Sequence, residues 1–237
     1  MRAHTRYAIA AGALVLALAG CSASDAEEPN SASSATPTPS ASATSTPSPA
    51  VEVVPLLIES QLAAIFTEID FIPDQFTDTT ELIDSIYPGL TASDPSCLSP
   101  FGVGWDTDPA LDYTMLEFGT SIDRSMTAVV ASTGDENMAI TLVAESATAI
   151  AECANNPSMF SMQGMDIETQ VEEMSPALTG TDESLGWRVA GSVGGSPFTL
   201  VGITARVGGN VVAVVAWDPE TNESYAPLAT QMFVDRL

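Results

Sequence analysis

The chain has 237 residues, 45% of them apolar, and carries 31 acidic residues against six arginines, no lysine and one histidine. That histidine, His4, precedes the first cysteine, Cys21. A chain cleaved before Cys21 therefore has no imidazole and no basic face. Ser-His-Asp or Cys-His catalysis, Schiff-base chemistry on lysine, zinc sites built on histidine and nucleic-acid binding are excluded for such a chain. We therefore expect no cofactor, no metal and no nucleic-acid partner.

The first 20 residues have the parts of a signal peptide. Arg2 and Arg6 precede an apolar run over 7–19, which is shorter than the roughly 20 residues of a membrane span. The run ends in LAGC, residues 18–21, which resembles the lipobox of bacterial lipoproteins. The resemblance implies cleavage before Cys21 and acylation of its thiol, so we expect a lipid-anchored protein on the extracytoplasmic face of the cell membrane. The alternatives are an ordinary cleaved signal peptide or an uncleaved anchor.

Residues 21–50 differ from the rest of the chain in composition. They are mostly Ser, Ala, Thr and Pro, and few of their side chains could contribute to a core. Such a segment cannot offset the entropy lost on ordering, so it predicts a disordered tether. Residues 51–237 are long enough to bury one core, and we expect a single domain there, with two small domains as the alternative.

Two helices are predicted at the start of the domain. Apolar residues at helical spacing mark 56–69, and a second stripe marks 78–87, with Thr77 or Asp78 as its N-cap. A Pro-Gly pair follows and ends the second helix.

The middle of the domain is predicted to contain a hairpin and a long helix. Strand-like runs cover 113–120 and 125–133, and a short connection joins them. The apolar pattern then takes a helical period over 135–154, with acidic residues in the first turn, which indicates a helix that carries Cys153 near its end. The second half is predicted to have strands over 160–174, 186–193, 198–207 and 210–218, and a closing helix over 225–236.

This order of elements predicts an α+β fold: a single antiparallel sheet with helices packed on it. Hairpins dominate the order, whereas βαβ repeats do not occur in it. The closing helix is predicted to bury Leu228, Ala229, Met232 and Phe233.

Two cysteines follow Cys21 in the chain. An even pair in an exported protein is expected to be oxidised, so we expect a disulfide between Cys97 and Cys153, with two separate buried thiols as the alternative. Closing a loop of about 57 residues stabilises a fold by about 4 kcal/mol in the chain-entropy model.

Five segments of the domain carry a resemblance to a known family: LLIESQLAAIF, SDPSCLSP, ESATAIAECANN, ITARVGGNVVAVVAW and YAPLATQMFVDRL. Taken together, they resemble the extracellular sensor domains of PknH-like receptor kinases and related actinobacterial lipoproteins. The resemblance implies a mixed antiparallel sheet with flanking helices, a disulfide between Cys97 and Cys153, and a cleft for an extracellular ligand. The chain lacks the additional cysteine pair of the kinase sensors and their kinase domain, so any signal is expected to leave through a partner.

One group of acidic residues, Asp106, Asp108 and Asp112, has the oxygen ligands that Ca²⁺ prefers. The segment lacks the glycine and the distal glutamate of an EF-hand loop. We therefore expect no specific metal site there.

A second acidic group lies in the segment DIETQVEEM. Two carboxylates among Glu168, Glu172 and Glu173 would suit glycoside hydrolysis if they faced each other across a cleft. Alternation along the segment instead indicates the solvent-facing side of a strand, so we expect no catalytic residue there.

The scarce cations and the tryptophans are the candidates for ligand contact. Trp187, Arg188 and Arg206 form the predicted ligand-binding set, because aromatic and guanidinium groups recognise sugars, peptides and anions. The alternatives are a core position for the tryptophan, as for Trp105 and Trp217, and ion pairs inside the protein for the arginines.

We therefore expect a membrane-anchored, non-enzymatic binding or sensing module for a small-molecule, cell-wall or protein ligand. One alternative is a carboxylate-dependent hydrolase of cell-wall polysaccharide, which a buried Asp/Glu pair facing a cleft would favour. The other is an accessory subunit of a membrane complex, which an exposed apolar patch without a pocket would favour.

Overall fold

The computed structural model describes residues 55–108, 111, 114–156, 158–217 and 225–237. All of them belong to one unit of the chain, Ala50–Leu237. The predicted signal peptide, Cys21 and the predicted linker lie outside the described residues, as do Asp112, Tyr113 and Asp218. None of the helices described is long and apolar enough to cross a membrane.

Nine strands of the described residues form one antiparallel sheet, which confirms the predicted fold class together with the helices packed on it. The strands are β1 (Phe71–Pro73), β2 (Leu90–Ala92), β3 (Met115–Ser121), β4 (Met126–Ser132), β5 (Phe160–Met162), β6 (Met165–Met174), β7 (Glu183–Val193), β8 (Ser196–Val207) and β9 (Asn210–Trp217). Their order across the sheet is β1-β3-β4-β9-β8-β7-β6-β5-β2, so the two shortest early strands form its edges.

Two of the helices begin where the sequence provides a side-chain cap. Asp78 accepts a hydrogen bond from the Glu81 amide at the start of α2, and Asp135 accepts one from the Asn137 amide at the start of α3. The helical segments described are α1 (Glu59–Glu68), α2 (Thr79–Ile86), a 3₁₀-helix (Pro95–Phe101), α3 (Glu136–Cys153) and α4 (Tyr225–Val234).

These helices cover both faces of the sheet. Phe66 of α1 and Phe233 of α4 pack on one face with Val212 of β9, and the two phenyl centroids are 4.9 Å apart. On the opposite face, Leu142 of α3 packs with Val129 of β4. The central strands are therefore buried on both sides, which explains the nearly continuous apolar run of β9.

A buried disulfide joins two of the elements on the α3 face. It links Cys97 in the 3₁₀-helix to Cys153 in the last turn of α3, with the Cα atoms 5.9 Å apart. Both cysteines are 3% exposed and belong to the same apolar cluster as Phe101 and Ile150. The predicted disulfide is thus present.

Several predicted elements differ in their limits. The predicted strand 160–174 is two strands, because Gln163 and Gly164 form a turn with φ of 52° and 75°. Leu228, predicted to be buried, is 58% exposed, while Ala226 and Val234 are among the buried residues of α4. The first helix begins at Glu59, with Ile58 as its N-cap, rather than at residue 56.

Candidate functional site

Trp187 lies in the core rather than in the wall of an open cleft. Its side chain is 1% exposed, and its ring centroid is 4.5 Å from that of Phe101. The cavity between this ring and the disulfide measures about 10 Å³, which is no more than the space of one water molecule. Direct contact between Trp187 and a ligand of any size would require the core to open.

Arg206 lies among carboxylates of its own chain. Its side chain is 8% exposed and also donates to the Gly208 carbonyl at 3.1 Å. The guanidinium links the end of β8 to the start of β7 and the first turn of α3, as an internal ion-pair centre. Its partners are Glu136 at 3.3 Å, Asp182 at 3.3 Å and Glu183 at 3.7 Å.

Arg188 of β7 pairs with a carboxylate on the neighbouring strand β6. Its guanidinium lies 3.9 Å from the Glu172 carboxylate, opposite it across the β6–β7 ladder. Both predicted arginines therefore have carboxylate partners within the fold, and their contact with a ligand stays a prediction.

The predicted acidic groups do not converge in the described residues. Asp106 accepts a hydrogen bond from the Thr79 hydroxyl, and no three His, Cys, Asp or Glu side chains of the described residues are grouped to hold a metal ion. Glu168 and Glu172 are four residues apart on an extended strand, about 13 Å along it. That separation exceeds the distance that glycoside hydrolysis requires, and Glu173 points to the other face of β6.

An open groove lies elsewhere, between α1 and the outer side of β3. This open groove has a volume of about 580 Å³, and its walls combine apolar and acidic side chains. Ile58 is 55% exposed and Met115 is 39% exposed, so the groove presents apolar surface to solvent. The lining residues are Ile58, Glu59, Ser60, Ala63, Asp74 and Met115.

A buried carboxyl, Glu117, lies beside this groove. The side chain is 4% exposed and accepts a hydrogen bond from the Phe118 amide at 3.1 Å. Burial, with smaller contributions from the charges of Asp74 and Glu59, raises the pKa of Glu117 to about 7, while amide hydrogen bonds from Phe118 and Asp74 oppose the rise. The groove and Glu117 together are named here the acidic groove.

Local backbone geometry places these groups together. Asp74 has φ of 57°, in the left-handed region, so the chain turns away immediately after β1. β1 can approach β3 closely because residue 119 is glycine: a Cβ there would lie 2.3 Å from the Ile72 carbonyl oxygen. The ladder between β1 and β3 ends at Gly119, and Glu117 lies just beyond it.

Sequence patterns did not identify the acidic groove. In the segment YTMLEFGT, alternation places Glu117 on the side opposite Leu116 and Phe118, which is read as the solvent side. The available signal was that Glu117 shares its side with Gly119, whose lack of a side chain allows close approach of another element. That signal indicates a covered face but not which element covers it.

A second opening of about 250 Å³ borders α3. Asn137, Met138 and Thr141 line it together with Asp108 and Leu111. Its acidic side chains, Asp108 and Glu145, are not buried, so the opening offers less chemistry than the acidic groove.

No family model and no curated protein matches the chain. A solved structure does: the extracellular domain of PknH from Mycobacterium tuberculosis, with a TM-score of 0.50 and 11% sequence identity. The match covers 76% of this chain and 92% of that one. The described domain therefore has a PknH-like fold.

Proposed function

We propose that the protein is a lipid-anchored, extracytoplasmic binding or sensing module that is not an enzyme and that engages its ligand at the acidic groove. The observation that carries the proposal is the fold, which is similar to that of an extracellular domain. The buried disulfide agrees with an oxidising compartment. The lipobox-like sequence before Cys21 supports the anchor.

The chemistry of the acidic groove supports binding over catalysis. An apolar rim of Ile58 and Met115 with carboxylates beside it can recognise shape and charge. The Glu117 carboxylate already accepts backbone hydrogen bonds at the end of the β1–β3 ladder, which gives it a structural task. A binding role requires no further group.

Lipid anchoring can be tested on protein purified from its own membranes. Mass spectrometry is expected to find an N-terminal diacylglyceryl-modified Cys21, and the Cys21→Ser variant is expected to lose the lipid and leave the membrane fraction. An intact, unmodified leader on protein recovered from the cytosol would contradict the proposal.

Ligand binding can be tested with a blocked groove. Full-length protein isolated from its membranes is examined by native mass spectrometry for a bound molecule. Ser60→Trp, on the groove side of α1, is expected to remove that molecule, whereas Ala144→Trp, exposed on α3 and outside the groove lining, is expected to retain it. Equal occupancy in both variants would place the binding site elsewhere.

The raised pKa of Glu117 favours a second candidate function, a carboxylate-dependent hydrolase of cell-wall polysaccharide. A buried carboxyl with a raised pKa beside a second carboxyl, Asp74, has the form of a general acid with a partner. This candidate requires that purified protein release reducing ends from cell-wall polysaccharide and that Glu117→Gln abolish the release. Absence of turnover by the wild-type protein excludes it.

A further inference from the structure

The outer side of β3 has an open strand edge. β1 pairs only with Gly119, Thr120 and Ser121, so no strand of the described residues pairs with the outer edge of Met115–Phe118. The Ile122 amide, just after β3, donates to the carbonyl of Asp70, just before β1, so it points to the β1 edge of β3. By the alternation of an antiparallel ladder, the backbone groups of Leu116 and Phe118 point to that same side.

Glu117 occupies the first outward-facing amide of β3 beyond the end of the ladder, which the turn at Asp74 sets. Its carboxylate accepts from the Phe118 amide, which is the group that β1 would use next. The next outward-facing backbone groups of β3, at Leu116, pair with no strand of the described residues and can accept an added strand. The open edge and the acidic groove are therefore one continuous surface.

The walls of the groove fit an extended peptide. Successive side chains of a strand point to opposite sides, so an added strand would direct every second side chain toward α1. There Ile58 and Met115 offer apolar contact. The backbone edge supplies directional hydrogen bonds, and the apolar contacts select side chains, as in known cases of strand addition.

Charge indicates which peptide would bind. Glu59 and Asp74 are exposed and line the groove, so two acidic groups face an occupant. The arginines of the described residues contact other parts of the protein: Arg188, Arg206 and Arg236 pair with carboxylates, and Arg124 donates to a carbonyl. A second copy of this chain would bring like charges together, whereas lysine or arginine would complement them.

From this surface we infer that the ligand of the acidic groove is an extended, basic segment of a partner protein, which adds as a strand to the outer edge of β3. The inference rests on the proposed function, because it assigns the ligand class to the same groove. Its affinity has two components: backbone pairing at Leu116 and salt-sensitive attraction to Glu59 and Asp74.

The probe is an eight-residue peptide of alternating valine and lysine, measured against full-length protein in detergent by calorimetry. A valine/glutamate peptide of the same length is the charge control. We expect the lysine peptide to bind at least about tenfold more tightly than the glutamate peptide, with an affinity that falls as salt rises. Equal affinity of the two peptides would overturn the inference.

Backbone methylation separates strand addition from simple charge attraction. One lysine peptide carries N-methyl groups on odd residues and another carries them on even residues, so each loses the amides of one edge. Strand addition predicts that one of the two loses binding at least about tenfold while the other stays within about threefold. Equal binding of both peptides would show charge attraction alone and reject the inference.

Protein variants locate the contact. The double variant Glu59→Gln/Asp74→Asn removes two exposed charges and is expected to weaken the lysine peptide about tenfold, and Glu145→Gln on α3 is the control, expected to leave its affinity unchanged. If the lysine peptide fails to bind while Ser60→Trp still removes a co-purified molecule, the ligand class is wrong and the proposed function stands. If neither effect is seen, the proposed function fails as well.

Discussion

At the scale of a single residue, burial of the Glu117 carboxyl makes stability depend on pH. Its pKa is about 7 in the folded protein and near its ordinary value of 4.5 in the unfolded chain. Between these values the folded state binds more protons, so the free energy of unfolding falls as pH rises. The stabilisation is fully present below about pH 4.5 and is lost as the pH rises through about 7.

This prediction is checked by urea unfolding between pH 5 and pH 8. The wild-type protein is expected to lose up to about 3 kcal/mol over the range through Glu117, and Glu117→Gln, which cannot ionise, is expected to lose correspondingly less. Comparing the two proteins cancels the repulsion among their other acidic residues. Parallel pH profiles would show that Glu117 is ionised throughout.

Gly202 is the second residue at which the structure predicts how a substitution changes stability. A Cβ at this position would lie 2.1 Å from Cζ2 of Trp187, whose ring lies over the glycine on the neighbouring strand. Gly202→Ala is expected to destabilise the protein by about 3 kcal/mol, because the indole has no free volume into which to move.

The partner substitution tests this explanation of Gly202. Trp187→Phe removes the ring atoms that the new methyl group would meet, so the double variant is expected to be more stable than the sum of the two single effects predicts. Strict additivity in chemical denaturation would contradict direct contact between residues 187 and 202.

At the scale of elements, Arg206 connects β7, β8 and α3 through its three carboxylate partners. Arg206→Ala would leave Glu136, Asp182 and Glu183 clustered without a cation, and we expect a loss of about 3 kcal/mol. Arg236, whose side chain is 32% exposed in its pair with Glu68, is the control. Arg236→Ala is expected to cost less than about 1 kcal/mol because solvent screens an exposed pair.

Salt distinguishes the origin of the Arg206 effect. Added salt screens the repulsion among the three carboxylates, so it is expected to recover part of the stability of Arg206→Ala and little of that of Arg236→Ala. Thermal melting at low and high salt measures both. A salt-independent loss would assign the effect to the packing of the side chain instead.

The elements that could be predicted from the sequence are those with a long repeating pattern. α3 was predicted over 135–154 and forms over Glu136–Cys153, and the predicted hairpin of β8 and β9 has its turn at Gly208 and Gly209. β1 and β2 have three residues each, which is too few for a period to be recognised. β1 pairs with β3 and β2 pairs with β5, so both short strands form through contacts between segments that are distant in the sequence.

At the scale of the whole molecule, the candidate site could not be predicted for the same reason. The acidic groove needs α1, the turn at Asp74 and the edge of β3, which are brought together only when β1 pairs with β3. The predicted set of Trp187, Arg188 and Arg206 was chosen by residue type. Side chains of that kind also serve cores and ion pairs, and position in the fold decides which role they have.

The disulfide carries the last prediction, because it links two segments that cover the same face of the sheet. Cys97 and Cys153 are 56 residues apart in the chain, and closing that loop restricts the unfolded state more than the folded one. Cys97→Ser/Cys153→Ser is therefore expected to lower the free energy of unfolding by about 4 kcal/mol, measured by urea titration of the full-length protein.

Reduction provides the control for this prediction. Dithiothreitol should lower the unfolding midpoint of the wild-type protein toward that of the double variant and leave the variant unchanged, since the variant has no bond between these positions to break. An unchanged wild-type midpoint after complete reduction, verified by thiol alkylation, would show that apolar packing around Phe101 and Ile150 already holds the 3₁₀-helix on α3. The larger the measured loss, the more this fold depends on its disulfide.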